Sequence, residues 1–282
     1  MNILITGSNG FIGSNIMKLL SINIKYKLFK GNKNTIDLYS SNNIERYIDK
    51  NKIDIVIHCA INGGNRLEQD TYETFYKNIL MYENLIRFSH KYKMFINFAS
   101  GAEFDRKENI SNINESEVFH VTPTDFYGLS KNIISKLSSH CPIVLNLRLF
   151  GCFYHNELST RFINNNIQNY INKKPIIIHQ DRYMDFFYME DLAIIIKHFL
   201  ENKVTSYTDI NMSYIKKYKL SDIANIINNL DNHKVDINVE DKNLGLSYTG
   251  CSKSLSNLNL NLKGIEIGIR EIYDRYKFNI LH

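Results

Sequence analysis

The chain opens on an apolar strand, residues 3–6, that runs straight into Gly7-x-x-Gly10-x-x-Gly13. No other feature restricts the fold so tightly. Glycines at that spacing let the backbone turn sharply, approach a pyrophosphate and begin a helix whose N-terminal amides face the phosphates. Apolar residues at Ile12, Ile16, Leu19 and Leu20 follow at helical spacing, so one side of that helix packs on a sheet. The spacing departs from the GxGxxG of the standard dinucleotide fingerprint, but the strand before and the helix after supply the context it requires.

Downstream, apolar runs alternate with amphipathic stretches. Strands are expected at residues 26–29, 53–59, 94–99 and 143–149, and helices near 42–50, 71–91 and 127–139. Continuous runs such as Ile55-Val56-Ile57 read as strands covered on both faces. The alternation with right-handed crossovers predicts an α/β fold, a Rossmann doubly wound parallel sheet with a smaller C-terminal α/β substrate lobe. Past residue 150 the pattern loosens into helices at 160–172, 190–202, 221–229 and 265–276, with short strands at 176–179 and 235–239. The division expected is a dinucleotide-binding domain over 1–155. Residues 156–282 then form mostly a substrate-binding lobe, with some segments returning to the sheet.

Composition narrows the classes. No uninterrupted apolar run nears the roughly twenty residues of a membrane helix, and the N-terminus lacks the charged and cleavable pattern of a signal peptide. Cys59, Cys141, Cys152 and Cys251 never form a C-x-x-C pair, which predicts reduced thiols in a cytoplasmic protein and no metal site. The net charge of +5 comes from lysines scattered along the whole chain rather than from a basic stripe. That argues against nucleic acid and suits a phosphorylated small substrate.

In NAD-binding units an acidic residue ends the second strand and bonds the ribose 2′-hydroxyl. Here the stretch reads Phe29-Lys30-Gly31-Asn32-Lys33, with two lysines and no carboxylate. NADP(H) is therefore favoured and NAD(H) is the alternative, unless Lys30 and Lys33 are ordinary solvated residues. Asp37 and Leu38 fall where side chains border the adenine; Asp37 is equally placed to N-cap the next helix.

Tyr127-Gly128-Leu129-Ser130-Lys131 puts a tyrosine and a lysine on one helical face. A neighbouring ammonium favours phenolate and brings the phenol into the working range for proton transfer. The spacing recurs at Tyr26/Lys30, Tyr170/Lys174 and Tyr273/Lys277 in a chain with 18 tyrosines, so context must select. Only Tyr127 follows a strand ending in the small-residue turn Phe98-Ala99-Ser100-Gly101-Ala102 and opens a helix after Pro123. Ser100 then sits at the C-terminal edge of the sheet, where open α/β folds bind ligands.

TGSNGFIG, HCA at 58–60, Tyr76-Lys77-Asn78, FASGAEF, PTDFYGLSK, LRLFG and DFFYMEDLA occur in this order over essentially the whole chain. Together they resemble the extended short-chain dehydrogenase/reductase family, in its nucleotide-sugar epimerase/dehydratase branch. The resemblance implies a Ser100–Tyr127–Lys131 triad and a C-terminal lobe that grips a nucleotide-diphosphate sugar. It further implies cofactor contacts from Asn9, Phe11 and Ile12 in the glycine turn, from Cys59, Ala60 and Ile61, and from Asn78, Tyr127 and Lys131.

The branch divides by what stands beside the triad. Sugar 4,6-dehydratases carry Thr-Asp-Glu, whereas the matching trio here is Ser100-Gly101-Ala102, with Glu103 one position off and expected to point elsewhere. GDP-fucose synthase, which the compact segment 36–65 resembles, adds a Cys and a His for epimerisation. Its Cys position is Ala102 here, and its His falls near Thr160 or Arg161. The minimal triad remains, which implies an NADPH-dependent nucleotide-sugar 4-ketoreductase. The alternatives are an NAD-dependent 4-epimerase and a catalytically silent NADP-binding scaffold.

Gly101, Ala102, Arg161 and Arg182 are the expected substrate contacts, with Arg148 a further candidate for the diphosphate. Met184 occupies the position of the family's usual phosphate arginine. Asp191 is expected to cap structure between the lobes, and His58 to be a buried, satisfied histidine. The loop Asn62-Gly63-Gly64 is placed to touch the sugar. The helices near 71–91 and 127–139 would present Phe75, Ile79, Tyr82 and Ile133 outward, fitting a homodimer.

Overall fold

Ile3, Leu4 and Ile5 are all fully buried, as a strand covered on both faces demands. Each such side chain contributes about 1.5–3 kcal/mol of hydrophobic stabilisation. They belong to strand β1 (Asn2–Thr6), which runs parallel to β2 (Lys27–Gly31) on one side and to β3 (Ile55–His58) on the other. In the computed structural model, which describes residues 1–64, 69–202 and 209–281, the sheet continues through β4 (Met94–Ser100), β5 (Val144–Leu149) and β6 (Asp209–Met212). The order across the sheet is β6-β5-β4-β3-β1-β2.

That order reverses between β1 and β3. A doubly wound sheet opens a crevice at such a switch point, beyond the carboxyl ends of its strands. Only β2 lies beyond β1, so the segment after β2 turns back as a loop over residues 32–40 before α2 (Ser41–Asn51) begins. The compact segment 36–65 noted from the sequence begins in this loop, and its last residue, Asn65, lies outside the described residues.

Helix α1 (Phe11–Leu20) buries Gly13, Asn15, Ile16 and Leu20. Helix α3 (Tyr72–Ile86) contributes Met81, Tyr82 and Leu85 to a core cluster with Leu4, Val56 and Phe95. Helix α4 (Phe126–Ser138) buries Ile134 in the same cluster and is capped by Asp125, whose Oδ1 accepts the Gly128 amide at 2.7 Å. Ser40, not Asp37, N-caps α2 by accepting from the Asn43 amide. Tyr82 is 2% exposed and packs edge-on against Phe95, so it faces inward; the exposed aromatics of these helices are Tyr72, Tyr76 and Phe126.

The chain divides into two units. The first comprises residues 1–107, 114–149 and 196–211 and carries the central sheet. The second comprises residues 108–113, 150–195 and 212–282. It is built on paired short strands: Ile176–Gln180 with Ile237–Asp241, Tyr248–Gly250 with Ile110–Ile113, and Cys152–Phe153 with Phe187–Tyr188. The last two pairs were not foreseen, because two- to four-residue strands are too short for an alternation signal. Asp191 accepts the amides of Lys263 and Gly264 and so caps the helix Gly264–Leu281 within this second unit. Among the described residues no helix is long and apolar enough to cross a membrane, and no group of three or more His, Cys, Asp and Glu residues is placed to hold a metal.

Candidate active site

The crevice at the switch point is a cavity of about 540 Å³, within the range of small-molecule sites. Its floor is the glycine turn. Gly7 has φ +61°, and a Cβ there would stand 2.7 Å from the Ala60 backbone nitrogen, so only glycine lets β1 and β3 close at this point. Gly7, Asn9 and Gly10 line the cavity, with Lys33, Asp37 and Leu38 on one side and Cys59, Ala60 and Ile61 on the other. Asn32, Asn34 and Tyr39 line it as well; sequence reasoning missed them, because polar loop residues carry no periodicity.

Several expected cofactor residues do other work. Lys30 is exposed on β2 and does not line the cavity, because only the end of the strand, Gly31, and the loop after it reach the crevice. Phe11 and Ile12 lie in the first turn of α1, and Gly13 packs beneath the Gly7 carbonyl; none of the three is in the lining. Asn78, expected to contact the cofactor, is buried beneath the loop that starts at Asn62. Its Oδ1 accepts the Asn62 amide at 2.8 Å, and its Nδ2 donates to the Asn62 carbonyl and Ser130 Oγ at 3.1 Å. It therefore braces the cavity wall. Asp37 turns its Oδ1 onto the Tyr39 amide at 2.9 Å.

His58 ends β3 under this wall. Thr6 Oγ1 accepts from the amides of Cys59 and Ala60 at 3.1 and 3.2 Å, so its own proton goes to His58 Nδ1, 2.8 Å away. The imidazole must then be neutral with its hydrogen on Nε2. Burial agrees, pushing its pKa down to about 3, with the Lys131 charge acting in the same sense.

At the end of β4, Ser100 begins a tight 3-10 turn, Gly101–Phe104. Its Oγ accepts the Ala102 amide at 3.2 Å and is hydrogen-bonded with the Tyr127 hydroxyl. This contact exists because α4 comes very close to the turn: a Cβ on Gly128 would stand 2.5 Å from the Ala102 carbonyl oxygen. Gly128 is thus a positioning glycine inside the Tyr-Gly pair, and the sequence showed the pair without showing its reason. Gly101 and Ala102 are buried under that approach, so neither presents a surface to a substrate.

Lys131, one turn beyond Tyr127, is buried and donates to the Phe98 carbonyl at 2.6 Å. Burial brings its pKa down to about 8, against the opposing pull of Glu103 and Cys59. Tyr127 moves the other way. Burial raises the phenol above its usual value, the Ser100 hydrogen bond lowers it, Glu103 and Asp70 raise it and Arg106 lowers it. Arg106, a cation that the helical spacing did not single out, lies with its Cζ 5.8 Å from the centre of the Tyr127 ring.

Glu103 does point away. It is fully buried, its Oε1 accepts the Ser100 amide at 2.8 Å, and its Oε2 accepts Ser135 Oγ and Arg148 Nε, each at 2.8 Å. Arg148 completes the cluster with Asp209 at 2.8 Å and Asn211 at 3.3 Å. A guanidinium buried to 0% and held on three sides is a structural ion pair, which removes Arg148 from the phosphate candidates. Arg161 and Arg182 both belong to the second unit. Arg161 is exposed at the start of helix Phe162–Ile171, and Arg182 carries a buried Nε with no hydrogen-bond partner among the described residues.

Comparison with known proteins bears on the same region. The family model described as NAD dependent epimerase/dehydratase family matches residues 3–213. No curated protein matches the sequence. Among solved structures, a GDP-mannoheptose C4 reductase from Campylobacter jejuni with NADP bound superposes with a TM-score of 0.83 at 16% identity, covering 98% of each chain. A GDP-L-fucose synthetase from Naegleria fowleri gives 0.81 at 16% identity, over 99% of this chain and 94% of that one. A UDP-glucuronic acid 4-epimerase from Bacillus cereus gives 0.75 at 21% identity, over 99% and 100%. At these identities the likeness establishes the fold.

Proposed function

The chain belongs to the NAD dependent epimerase/dehydratase family, and on that premise we propose that it reduces a 4-keto nucleotide-diphosphate sugar with NADPH. The cavity fits a dinucleotide. Its floor is the glycine turn at Gly7 and Gly10, and the loop residues Asn32, Lys33 and Asn34 stand along one side. In this reading Gly7, Asn9 and Gly10 hold the pyrophosphate, and Leu38 and Asp37 border the adenine. Lys33, flanked by Asn32 and Asn34, receives the 2′-phosphate, which favours NADP(H) over NAD(H). When bound, the cofactor supplies the hydride.

The side chains supply the rest. Tyr127 gives its proton to the carbonyl oxygen as that oxygen gains negative charge, and Ser100 donates a hydrogen bond to the same atom. Lys131 orients the nicotinamide ribose. Within the second unit, Arg161 and Arg182 are the candidates for binding a diphosphate, as guanidinium groups match paired phosphate oxygens.

Glu103 carries the choice of reaction. Elimination of water from a sugar needs a second acid or base beside the phenol, and Glu103, the carboxylate in that turn, is locked by Arg148, Ser135 and the Ser100 amide. Ketone reduction needs only the phenol. The C. jejuni reductase and the N. fowleri synthetase among the similar folds support the same reading.

The test is a panel of 4-keto nucleotide sugars incubated with NADPH. One NADPH oxidised per sugar reduced supports the proposal. Interconversion of 4-epimers without net NADPH use would replace it by the epimerase reading. Cofactor binding without either reaction would replace it by the scaffold reading.

A further inference from the structure

Arg106 reaches the phenol from a loop that no catalytic motif includes. Its Cζ lies 5.8 Å from the centre of the Tyr127 ring, within cation–π range. Its NH2 donates to Asp125 Oδ1 at 2.9 Å and stands 3.9 Å from Asp70 Oδ2. Asp125 is also the residue that N-caps α4, and Asp70 Oδ1 accepts the Gly64 amide at 2.9 Å. The Gly64 backbone in turn lies against the Tyr127 ring.

The backbone that delivers Arg106 is itself unusual. Asp105, just before it, has φ +63°, a region non-glycine residues rarely occupy. It is held there by its carboxylate: Oδ1 accepts the Lys107 amide at 3.0 Å, and Oδ2 accepts the Thr124 amide at 3.1 Å. Two successive residues of this loop are therefore tied to the two residues that lead into α4, Asp105 to Thr124 and Arg106 to Asp125. Strained backbone persists where its surroundings over-determine it, and such sites cluster at functional positions.

We propose that Arg106 is a positioning residue for proton transfer at Tyr127, its carboxylate-braced guanidinium lying over the ring and stabilising the phenolate relative to the phenol. Glu103 and Asp70 act on the phenol in the opposite sense, Ser100 and Arg106 in the same sense, and Lys131 stands one turn further along the helix. Arg106 is the member of this set whose charge can be removed without emptying a buried site, since its side chain is 33% exposed. The role deepens the reductase reading and takes from it only the direction of proton flow.

The experiment titrates Tyr127 directly. Protein labelled with 13C-tyrosine, its Tyr127 resonance identified by Tyr127→Phe, is followed against pH in the parent and in Arg106→Gln, Arg106→Lys and Asp70→Asn. Arg106→Gln should titrate at higher pH, Arg106→Lys close to the parent and Asp70→Asn at lower pH. Opposite signs from two residues in one cluster are not what a merely structural role produces. In the reductase assay the alkaline limb of kcat/KM should move up with Arg106→Gln. The reverse oxidation, which needs phenolate, should slow about three- to tenfold at neutral pH, with NADPH affinity unchanged because Arg106 is outside the cavity lining. An unmoved Tyr127 resonance in Arg106→Gln overturns the proposal, as do equal shifts in the Gln and Lys variants. If the resonance moves as expected while no 4-keto sugar is reduced by any form, the function proposed above fails and the role of Arg106 stands.

Discussion

Two arginine–carboxylate clusters flank the same short turn after β4, and they behave as opposites. On the inner side, Arg148 is 0% exposed and closed by Glu103, Asp209 and Asn211. On the outer side, Arg106 is one-third exposed and shares Asp125 and Asp70 around the Tyr127 ring. The inner cluster is saturated, so none of its groups is free to exchange a proton, and it acts on Tyr127 only through the charge of Glu103. The outer one sits beside the hydroxyl proposed above as the proton donor. Burial with full pairing makes the inner ion pair structural; partial exposure beside Tyr127 is what the proposed tuning role of Arg106 requires.

The comparison is open to attack at both clusters. Tyr127→Phe should reduce turnover by about 10²–10⁴-fold, the usual worth of a general acid, while cofactor affinity in a binding titration stays the same. Parent-like turnover would remove the outer cluster's significance altogether. Arg148→Met should instead act on stability, lowering it by about 3–5 kcal/mol in a denaturant titration because Glu103 is left buried and unpaired. Adding Glu103→Met should recover roughly half or more of that loss, since an apolar pair of similar volume tolerates the site.

A smaller effect comes from His58, a third buried titratable group, which is neutral rather than paired. Its pKa of about 3 in the folded protein lies below the 6.5 of the unfolded chain, so below pH 6.5 the unfolded state takes up a proton that the folded state refuses. Stability should therefore be full above pH 6.5 and decline as pH falls from 6.5 toward 3, by about 2 kcal/mol at about pH 5. His58→Asn should flatten that part of the pH–stability curve.

The cavity offers a finer contrast between two neighbouring lysines. Lys33→Ala should weaken NADPH about tenfold and NADH little, while Lys30→Ala should leave both unchanged, as titrations with each nucleotide would show. Smallest of all should be the stability cost of Arg106→Gln, within about 1 kcal/mol, because partly exposed ion pairs are screened by water. A loss approaching that of Arg148→Met would mean that the two clusters are alike.

The amino-acid sequence alone determined the parts of this protein that depend on neighbours in the chain. A strand running into a glycine turn, alternating apolar runs, and Tyr127 one helical turn from Lys131 are local facts, and the central sheet with its cavity at the carboxyl ends of β1 and β3 follows from them. Lys33 against Lys30, and Asn78 as a brace rather than a contact, needed the path of the loops after β2 and β3. Only the tertiary structure decided which charges meet. Arg148 finds Glu103 from 45 residues away, and Arg106 finds Tyr127 across a turn and the start of a helix. Electrostatic pairing acts through distance and burial, and neither is encoded in periodicity; both appear only once the sheet has brought remote segments together.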